Sequence, residues 1–417
     1  MQRFRFLLVL LISPFLAFSQ DTTQHIVPGR HNAPAQELKP YVILISADGF
    51  RYDLAQKYQT PFLLKMSEEG VKAESMRPSF PTLTFPNHYS IITGLYPAHH
   101  GIVANYFYDP SRNEYYALWK KKEVTDPTWY GGMPLWTLAE KQGMLSASFY
   151  WVGSESHILD TDPTYYFNYN EAIPMSRRIQ TVKEWLDKPE NVRPHFITFY
   201  FPEVDHALHA HGDNSKEAAD AAHFVDSSVQ ALYTEVQKTG LPVNFVFVSD
   251  HGMMNIYPDG DISMPAGLDT SKFRVVSSTT IAFLYAKNKN DVKDTYQKLK
   301  AEAKNYEVYL ADEMPAKWHF DKANDNFGRI GDIILVPHPK YGFRFTSKKL
   351  PIGNHGYDND YPEMHATFYA WGPAFKSHYT VGTFDNVHIY PMIANILGLN
   401  ISHKIDGDFN VLKDILK

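Results

Sequence analysis

The sequence predicts an α/β fold: a central, mostly parallel sheet flanked by helices. Three observations carry that expectation. Short, wholly apolar runs recur along the chain, amphipathic stretches of helical period fall between them, and three of the apolar runs end on an aspartate. Alternation of this kind marks strands joined by helical crossovers and covered on both faces.

Taken in order, "YVILIS" (41–46) is a buried strand and "PFLLKMSEEG" (61–70) a helix stopped by Gly70. "MLSASFYWV" (144–152) is a strand, "SRRIQTVKEWLD" (176–187) an amphipathic helix, and "HFITFYF" (195–201) a strand. Residues 214–238 read as a long helix, capped by Asn214 or Ser215 and ended near Gly240. "VNFVFVS" (243–249), "TIAFLYA" (280–286), "DIILVP" (332–337) and "ATFYAWG" (366–372) are further strands, and a helix covers 385–398. No repeat or low-complexity stretch interrupts 41–417, which reads as one domain near the upper size for a single core.

The first twenty residues read as a secretory signal peptide. Arg3 and Arg5 precede an apolar run that Ser13 and Pro14 break before it could span a membrane. Residues 21–40 are polar, carry Pro28, Pro34 and Pro40, and read as a linker. The expected destination is the periplasm or the exterior. The chain has no cysteine, so any metal site must be built from His, Asp, Glu and hydroxyl groups. The net charge is −6 and becomes more negative when Arg3 and Arg5 leave with the signal. The longest lysine run, 120–122, is short, which disfavours binding of duplex nucleic acid by a broad basic face. Aromatic residues make up 15% of the chain, ample for a core and an apolar pocket.

The three aspartate-terminated strands locate the chemistry. "YVILIS" runs into Asp48, "HFITFYFPEV" into Asp205, and "VNFVFVS" into Asp250-His251. Ligands of open α/β sheets bind beyond the carboxyl ends of the strands. One such aspartate alone is a helix cap or a turn residue. Three together repel unless cations lie among them. His251 adjoins Asp250, His209 follows Asp205 by four residues, and "GNHGYDND" (353–360) sets His355 in a glycine-rich turn. His206 and His211 flank His209, and spacing leaves all three open. His157, His195 and His223 read as ordinary surface or core residues, and His88 and His100 as structural. An oxygen-and-imidazole ligand set suits zinc, and paired metals about 4 Å apart are common in phosphoryl transfer.

"FPTLTFPNHYS" (80–90) offers three aliphatic hydroxyls, on Thr82, Thr84 and Ser90. A hydroxyl needs activation to act as a nucleophile, and metal coordination supplies it. Thr84 fits best, because Pro86 and the following "NHYSIITG" place it at a helix start, where backbone N–H groups favour phosphate.

Four stretches, "ISADGFRYD", "FPTLTFPNHYSIITGLYPAHHGIVANYFYDP", "SDHGM" and "GNHGYDND", resemble the nucleotide pyrophosphatase/phosphodiesterase family of the alkaline phosphatase superfamily. The likeness runs from about 40 to about 400 and is to the single-domain bacterial type. It implies an alkaline-phosphatase-like fold and two zinc ions. Asp48, Thr84, Asp250 and His251 would hold one, and Asp205, His209 and His355 the other. It implies Thr84 as the nucleophile that becomes phosphorylated, with water activated by the second zinc releasing the product. Asn105 would hydrogen-bond a non-bridging phosphate oxygen, and Phe85 and Tyr169 would stack a nucleobase. One departure stands out: Leu208 in "DHALH" occupies a position where the family usually has glycine.

The expected activity is therefore hydrolysis of nucleotide phosphodiester or pyrophosphate bonds to a nucleoside 5′-monophosphate. A choline-type or lysophospholipid diesterase on the same metals is the alternative, since aromatic rings also bind quaternary ammonium. An inactive binding protein would lack a ligand, and this set is complete. A monoesterase would show serine and a phosphate-clamping arginine where Thr84 and Asn105 stand.

Overall fold

The computed structural model describes residues 21–417, so the signal-peptide reading of 1–20 lies outside the described residues. The central sheet has nine strands: β1 (Gln24–Ile26), β2 (Tyr41–Ala47), β3 (Val71–Ala73), β4 (Ser146–Phe149), β5 (Tyr165–Phe167), β6 (Phe196–Phe201), β7 (Val243–Val248), β12 (Phe368–Trp371) and β13 (Tyr379–Val381). Their spatial order is β1-β5-β4-β6-β2-β7-β12-β3-β13. The central block from β5 to β7 is parallel throughout, while β1, β12 and β3 each make an antiparallel pairing.

The side-chain alternation of β2 explains its unbroken apolar run. Val42 and Leu44 pack into one core layer, whereas Tyr41, Ile43, Ile45 and Ala47 pack into the other. A strand covered on both faces has no polar side to present. The second layer is covered by α1 (Pro61–Glu69), α3 (Met175–Leu186), α4 (Glu203–His211) and α5 (Lys216–Gln237), and the first by α2 (Thr84–Thr93) and α7 (Ile389–Leu397). In α5, Ala218, Ala222, Val225, Val229, Leu232 and Val236 form one buried stripe. Ser215 caps it, accepting the Ala218 amide at 3.1 Å.

Two of the expected strands belong elsewhere. β9 (Ala282–Ala286) and β11 (Ile333–Pro337) join β8 (Phe273–Ser277) and β10 (Tyr306–Leu310) in a separate antiparallel sheet, with α6 (Asp291–Glu302) packed beside it. Their side chains also divide between two core clusters, so they read as apolar as any central strand. Residues 21–40, read as a linker, are docked: β1 pairs with β5, and Asn32 is buried. The Asn32 amide donates to the carbonyls of Glu190 and Arg193 and accepts the Leu145 amide. Polar side chains that satisfy another segment's backbone give the composition of a free linker.

A titratable clasp ties the C-terminal segment to the short helix Pro97–His100. His99 Nδ1 meets Asp406 Oδ2 at 2.6 Å, and its Nε2 meets Asn324 Oδ1 at 2.9 Å. The Asn324 amide nitrogen is turned to Asp321, so both ring nitrogens of His99 face acceptors. The hydrogen bond to Asp406 holds the His99 imidazole above its usual range, against the opposing effect of burial. Burial favours protonation of Asp406, but His99 and the Tyr96 amide hold its carboxyl below the usual range. The His99 contribution is thus complete below the unfolded histidine value of about 6.5 and disappears as pH rises through its folded value. The Asp406 contribution is lost as pH falls through its own depressed value. His99→Gln is expected to cost about 1–2 kcal/mol near pH 6 and less at pH 9, read as the gap between thermal midpoints. A gap independent of pH would contradict the clasp.

Candidate active site

Strands β6, β2 and β7 are neighbours, and their carboxyl ends are level: Ser46 lies opposite both Tyr200 and Val248. Asp48, Asp205 and Asp250 therefore emerge side by side, and all are buried. Asp48 follows β2 directly, Asp250 follows β7 after Ser249, and Asp205 sits in the first turn of α4. Gly49 permits the crowding. Its φ is +69°, and a Cβ there would lie 3.1 Å from the Asp205 backbone.

Three histidines complete the cluster, and each is oriented the same way. Nδ1 of His251 donates to the Gly252 carbonyl at 2.9 Å, that of His355 to Thr82 at 2.8 Å, and that of His209 to Gly353 at 2.8 Å. Backbone carbonyls only accept, so Nδ1 carries the proton in each ring and Nε2 presents a lone pair. These lone pairs converge. His209 and His355 bring Nε2 atoms within 3.2 Å of each other, and His251 stacks on His355 with ring centroids 3.6 Å apart.

The donor set fits bound cations. Asp48 Oδ1, Asp205 Oδ1 and Asp250 Oδ2 are buried without a hydrogen-bond donor. Asp48, Asp250 and His251 form one group whose ligand atoms lie within 4.8 Å of one another, and Asp205, His251 and His355 form a second. His209 Nε2 reaches the second group at 3.3 Å from Asp205 Oδ1. His251 thus stands between the two. Burial, with repulsion from Asp250 and Asp205, pushes the Asp48 carboxyl well above its usual range. His355 is driven well below the histidine range by burial and by its imidazole neighbours. Cations would relieve both.

Of the three aliphatic hydroxyls in the 80–90 stretch, Thr84 alone reaches the cluster: its Oγ1 is 3.2 Å from His251 Nε2. Thr82 bonds Gly356 and Tyr357, and Ser90 bonds His100. Thr84 is the first residue of α2. The Phe85 amide donates to Asn105 Oδ1 at 2.9 Å, which ties down the acceptor end of that side chain and leaves its NH2 as the available donor.

Asp48, Thr84, Phe85, Asn105, Tyr169, Asp205, His209 and His355 line one cavity of about 590 Å³, with Asp250 and His251 buried behind it. Tyr169 stands at its wall, donating to Glu171 at 2.8 Å, whereas Tyr165 bonds Val192 and Tyr166 stacks on His25. Leu208 is buried, and α4 stays helical through it. His206 lines the cavity without joining the cluster, and His211 lies outside it. Tyr200, which the sequence reading passed over, donates to Asp48 Oδ2 at 2.7 Å. Its only signal was a polar tip in a run of phenylalanines.

A sheet covered on both faces, with acids and imidazoles at its carboxyl edge and a hydroxyl on a helix start among them, is the alkaline-phosphatase-like α/β architecture. Solved structures agree. Murine ectonucleotide pyrophosphatase/phosphodiesterase 5 superposes with a TM-score of 0.84 at 29% identity, covering 90% of this chain and 100% of that one. An inactive threonine-to-alanine variant of that mouse protein, in complex with AMP, gives the same score over 91% of this chain. The chain belongs to the type I phosphodiesterase / nucleotide pyrophosphatase family, whose model matches residues 42–358. Its relatives include ectonucleotide pyrophosphatase/phosphodiesterase family member 1 of Mus musculus, 34% identical over 403 residues, and the bis(5′-adenosyl)-triphosphatase ENPP4 of Bos taurus, 35% identical over 383. The alignments take in 92% and 90% of this chain, but 43% of the mouse protein and 82% of the bovine one.

Proposed function

We propose that the protein is an exported di-zinc phosphodiesterase/pyrophosphatase that cleaves nucleotide phosphodiester or pyrophosphate bonds, releasing a nucleoside 5′-monophosphate. The observation that carries this reading is the Thr84 hydroxyl, 3.2 Å from His251 among three buried acids, two buried imidazoles and the partly exposed His209. Asp48, Thr84, Asp250 and His251 would hold one zinc, and Asp205, His209 and His355 the other. Bound zinc would supply Lewis acidity, lowering the pKa of coordinated oxygen and neutralising phosphate charge.

The chain's own groups do the rest. The Thr84 oxygen attacks phosphorus, the alcohol or phosphate of the far side departs, and a phospho-threonine forms. Water then cleaves that ester and restores the hydroxyl. The Asn105 NH2 donates to a non-bridging oxygen whose charge grows in the transition state. A neutral amide suits a diester, which carries one charge fewer than a monoester. Phe85 and Tyr169 border the base. Export is consistent with the leader sequence and with family resemblance, and among the described residues no helix is long and apolar enough to cross a membrane.

A second reading, a choline-type phosphodiesterase, draws on Glu155 and Glu171, which line the cavity near Tyr169. Carboxylates beside aromatic rings suit a quaternary ammonium. The test compares a nucleotide aryl phosphodiester, an aryl phosphocholine and a bis-aryl phosphate lacking either group, with metal analysis of the same preparation. The nucleotide ester should have the highest kcat/KM. Tyr169→Ala should raise its KM roughly 5- to 100-fold, as loss of one base-stacking partner implies, and leave the bis-aryl phosphate unchanged. Preference for the phosphocholine ester would transfer the case to the second reading.

A further inference from the structure

Once Thr84 and the ligands are assigned, one buried imidazole beside them has no task. His88 lies on α2, one turn beyond Thr84, and is completely buried. Its Nδ1 is 3.1 Å from the Thr84 carbonyl oxygen and 3.2 Å from Asp250 Oδ2. Its Nε2 is 2.8 Å from the Ser46 hydroxyl, two residues before Asp48.

The hydrogen-bond inventory admits one arrangement for a neutral ring. A carbonyl and an ionised carboxylate can only accept, so the proton is on Nδ1. Nε2 is then the acceptor, and Ser46 must donate to it. This inverts the use made of the ring in His209, His251 and His355, where Nδ1–H is spent on a backbone carbonyl and Nε2 faces the cluster. His88 turns its N–H toward a ligand carboxylate and its lone pair away, so it does not belong to the ligand set.

We infer that His88 is the positioning residue that couples the nucleophile's helical turn to Asp250: its Nδ1–H is bonded to the Thr84 carbonyl, which fixes the tautomer, and lies 3.2 Å from Asp250 Oδ2, while Ser46 holds Nε2. Three elements meet at this ring: the end of β2, the first turn of α2 and the second residue after β7. Asp250 Oδ1 is already engaged by the Gly49 amide at 3.2 Å and the Ser249 hydroxyl at 3.3 Å. Oδ2 is the oxygen that faces both His88 and His251 Nε2. Without the Nδ1–H that carboxylate can rotate, and Thr84 can move independently of it. The ring is held edge-on by Trp151 and Tyr200, with centroids 5.1 and 5.2 Å away, and Trp151 Nε1 donates to the His88 carbonyl at 2.9 Å. Both aromatics line the cavity, so the ring is fixed from the substrate side as well.

The inference rests on the reading that Asp250 holds a cation, and paired amide variants separate the two. In His88→Asn the side-chain NH2 falls near Nδ1 and can still reach Asp250. In His88→Gln the amide falls near Nε2 and serves Ser46 alone. The measurements are zinc content, zinc affinity by competition with a chromophoric chelator, the melting temperature of metal-free protein, and kcat and KM for a nucleotide aryl ester. His88→Gln should weaken one of two zinc sites about 10- to 100-fold, as loss of an outer polar contact to a ligand does, and lower kcat more than it raises KM. His88→Asn should stay within about threefold of the parent in both. Equal behaviour of the two variants, or a fall in melting temperature with unchanged zinc affinity, would reduce His88 to packing and overturn the inference. If neither variant folds, Ser46→Ala decides. It removes the hydrogen bond that holds Nε2 and lets the ring turn away from Asp250, so zinc affinity should drop several-fold, and an unchanged affinity refutes the lock. A parent protein that takes up no zinc would sink the metal reading instead.

Discussion

Thr84→Ala is expected to lower kcat for a nucleotide aryl phosphodiester by at least about 10³-fold, because removing a nucleophile removes the covalent route altogether. The variant should still fold. Thr84 is only half-buried and gives up one hydrogen bond, to His251, at a cost of roughly 1 kcal/mol. It should also keep most of its zinc, since Asp48, Asp250 and His251 remain in place around that position. Thr84→Ser restores a hydroxyl at the same helix start and should recover a substantial fraction of the rate. Metal analysis alongside turnover separates loss of the nucleophile from loss of the site. Near-normal turnover by the alanine variant would show that some other group attacks phosphorus. Thr82 and Ser90 would be poor candidates, being held by Gly356, Tyr357 and His100.

Metal removal should have the second largest effect, on stability as well as rate. Three buried carboxylates with donorless oxygens lie at one strand edge, and Asp48 is held far from its ordinary protonation by burial and by the other two. Cations bound to the folded state only would stabilise it by about 4 kcal/mol per site at a thousandfold excess over Kd. Exhaustive chelation is therefore expected to abolish turnover and lower the melting temperature by several degrees. Zinc added back should restore both, and magnesium should not, because imidazole ligands do not suit it. The check is calorimetry and activity on one preparation before chelation, after it and after zinc return. Chelated protein, shown by elemental analysis to be metal-free, that kept its rate and its melting temperature would remove the basis of the mechanism.

Much of this was visible in the linear chain. The strands leading to Asp48, Asp205 and Asp250 were readable because a strand buried on both faces is dominated by apolar residues, and charged residues appear only beyond its end. Thr84 was singled out by the proline two residues on. Two features read differently. The runs 280–286 and 332–337 carry the same doubly buried pattern as the central strands, and a pattern of burial says nothing about which sheet a strand joins. Residues 21–40 looked unattached because their polar atoms are used to satisfy distant backbone groups, such as those met by Asn32.

Residue type and local spacing were enough to single out the acids, His251, His355 and the hydroxyl as candidates, since a ligand must be the right kind of atom near a strand end, and they left His206, His209 and His211 open. How those groups are aimed was written nowhere in any single stretch. The tautomer of His251 comes from a carbonyl next to it, that of His355 from Thr82, and that of His209 from Gly353. Tyr200 reaches Asp48 across 152 positions, and His88 on α2 lies 3.2 Å from Asp250 in the loop after β7. Orientation of this kind depends on hydrogen bonds between segments far apart in the chain, and such partners exist only after the sheet has brought them together.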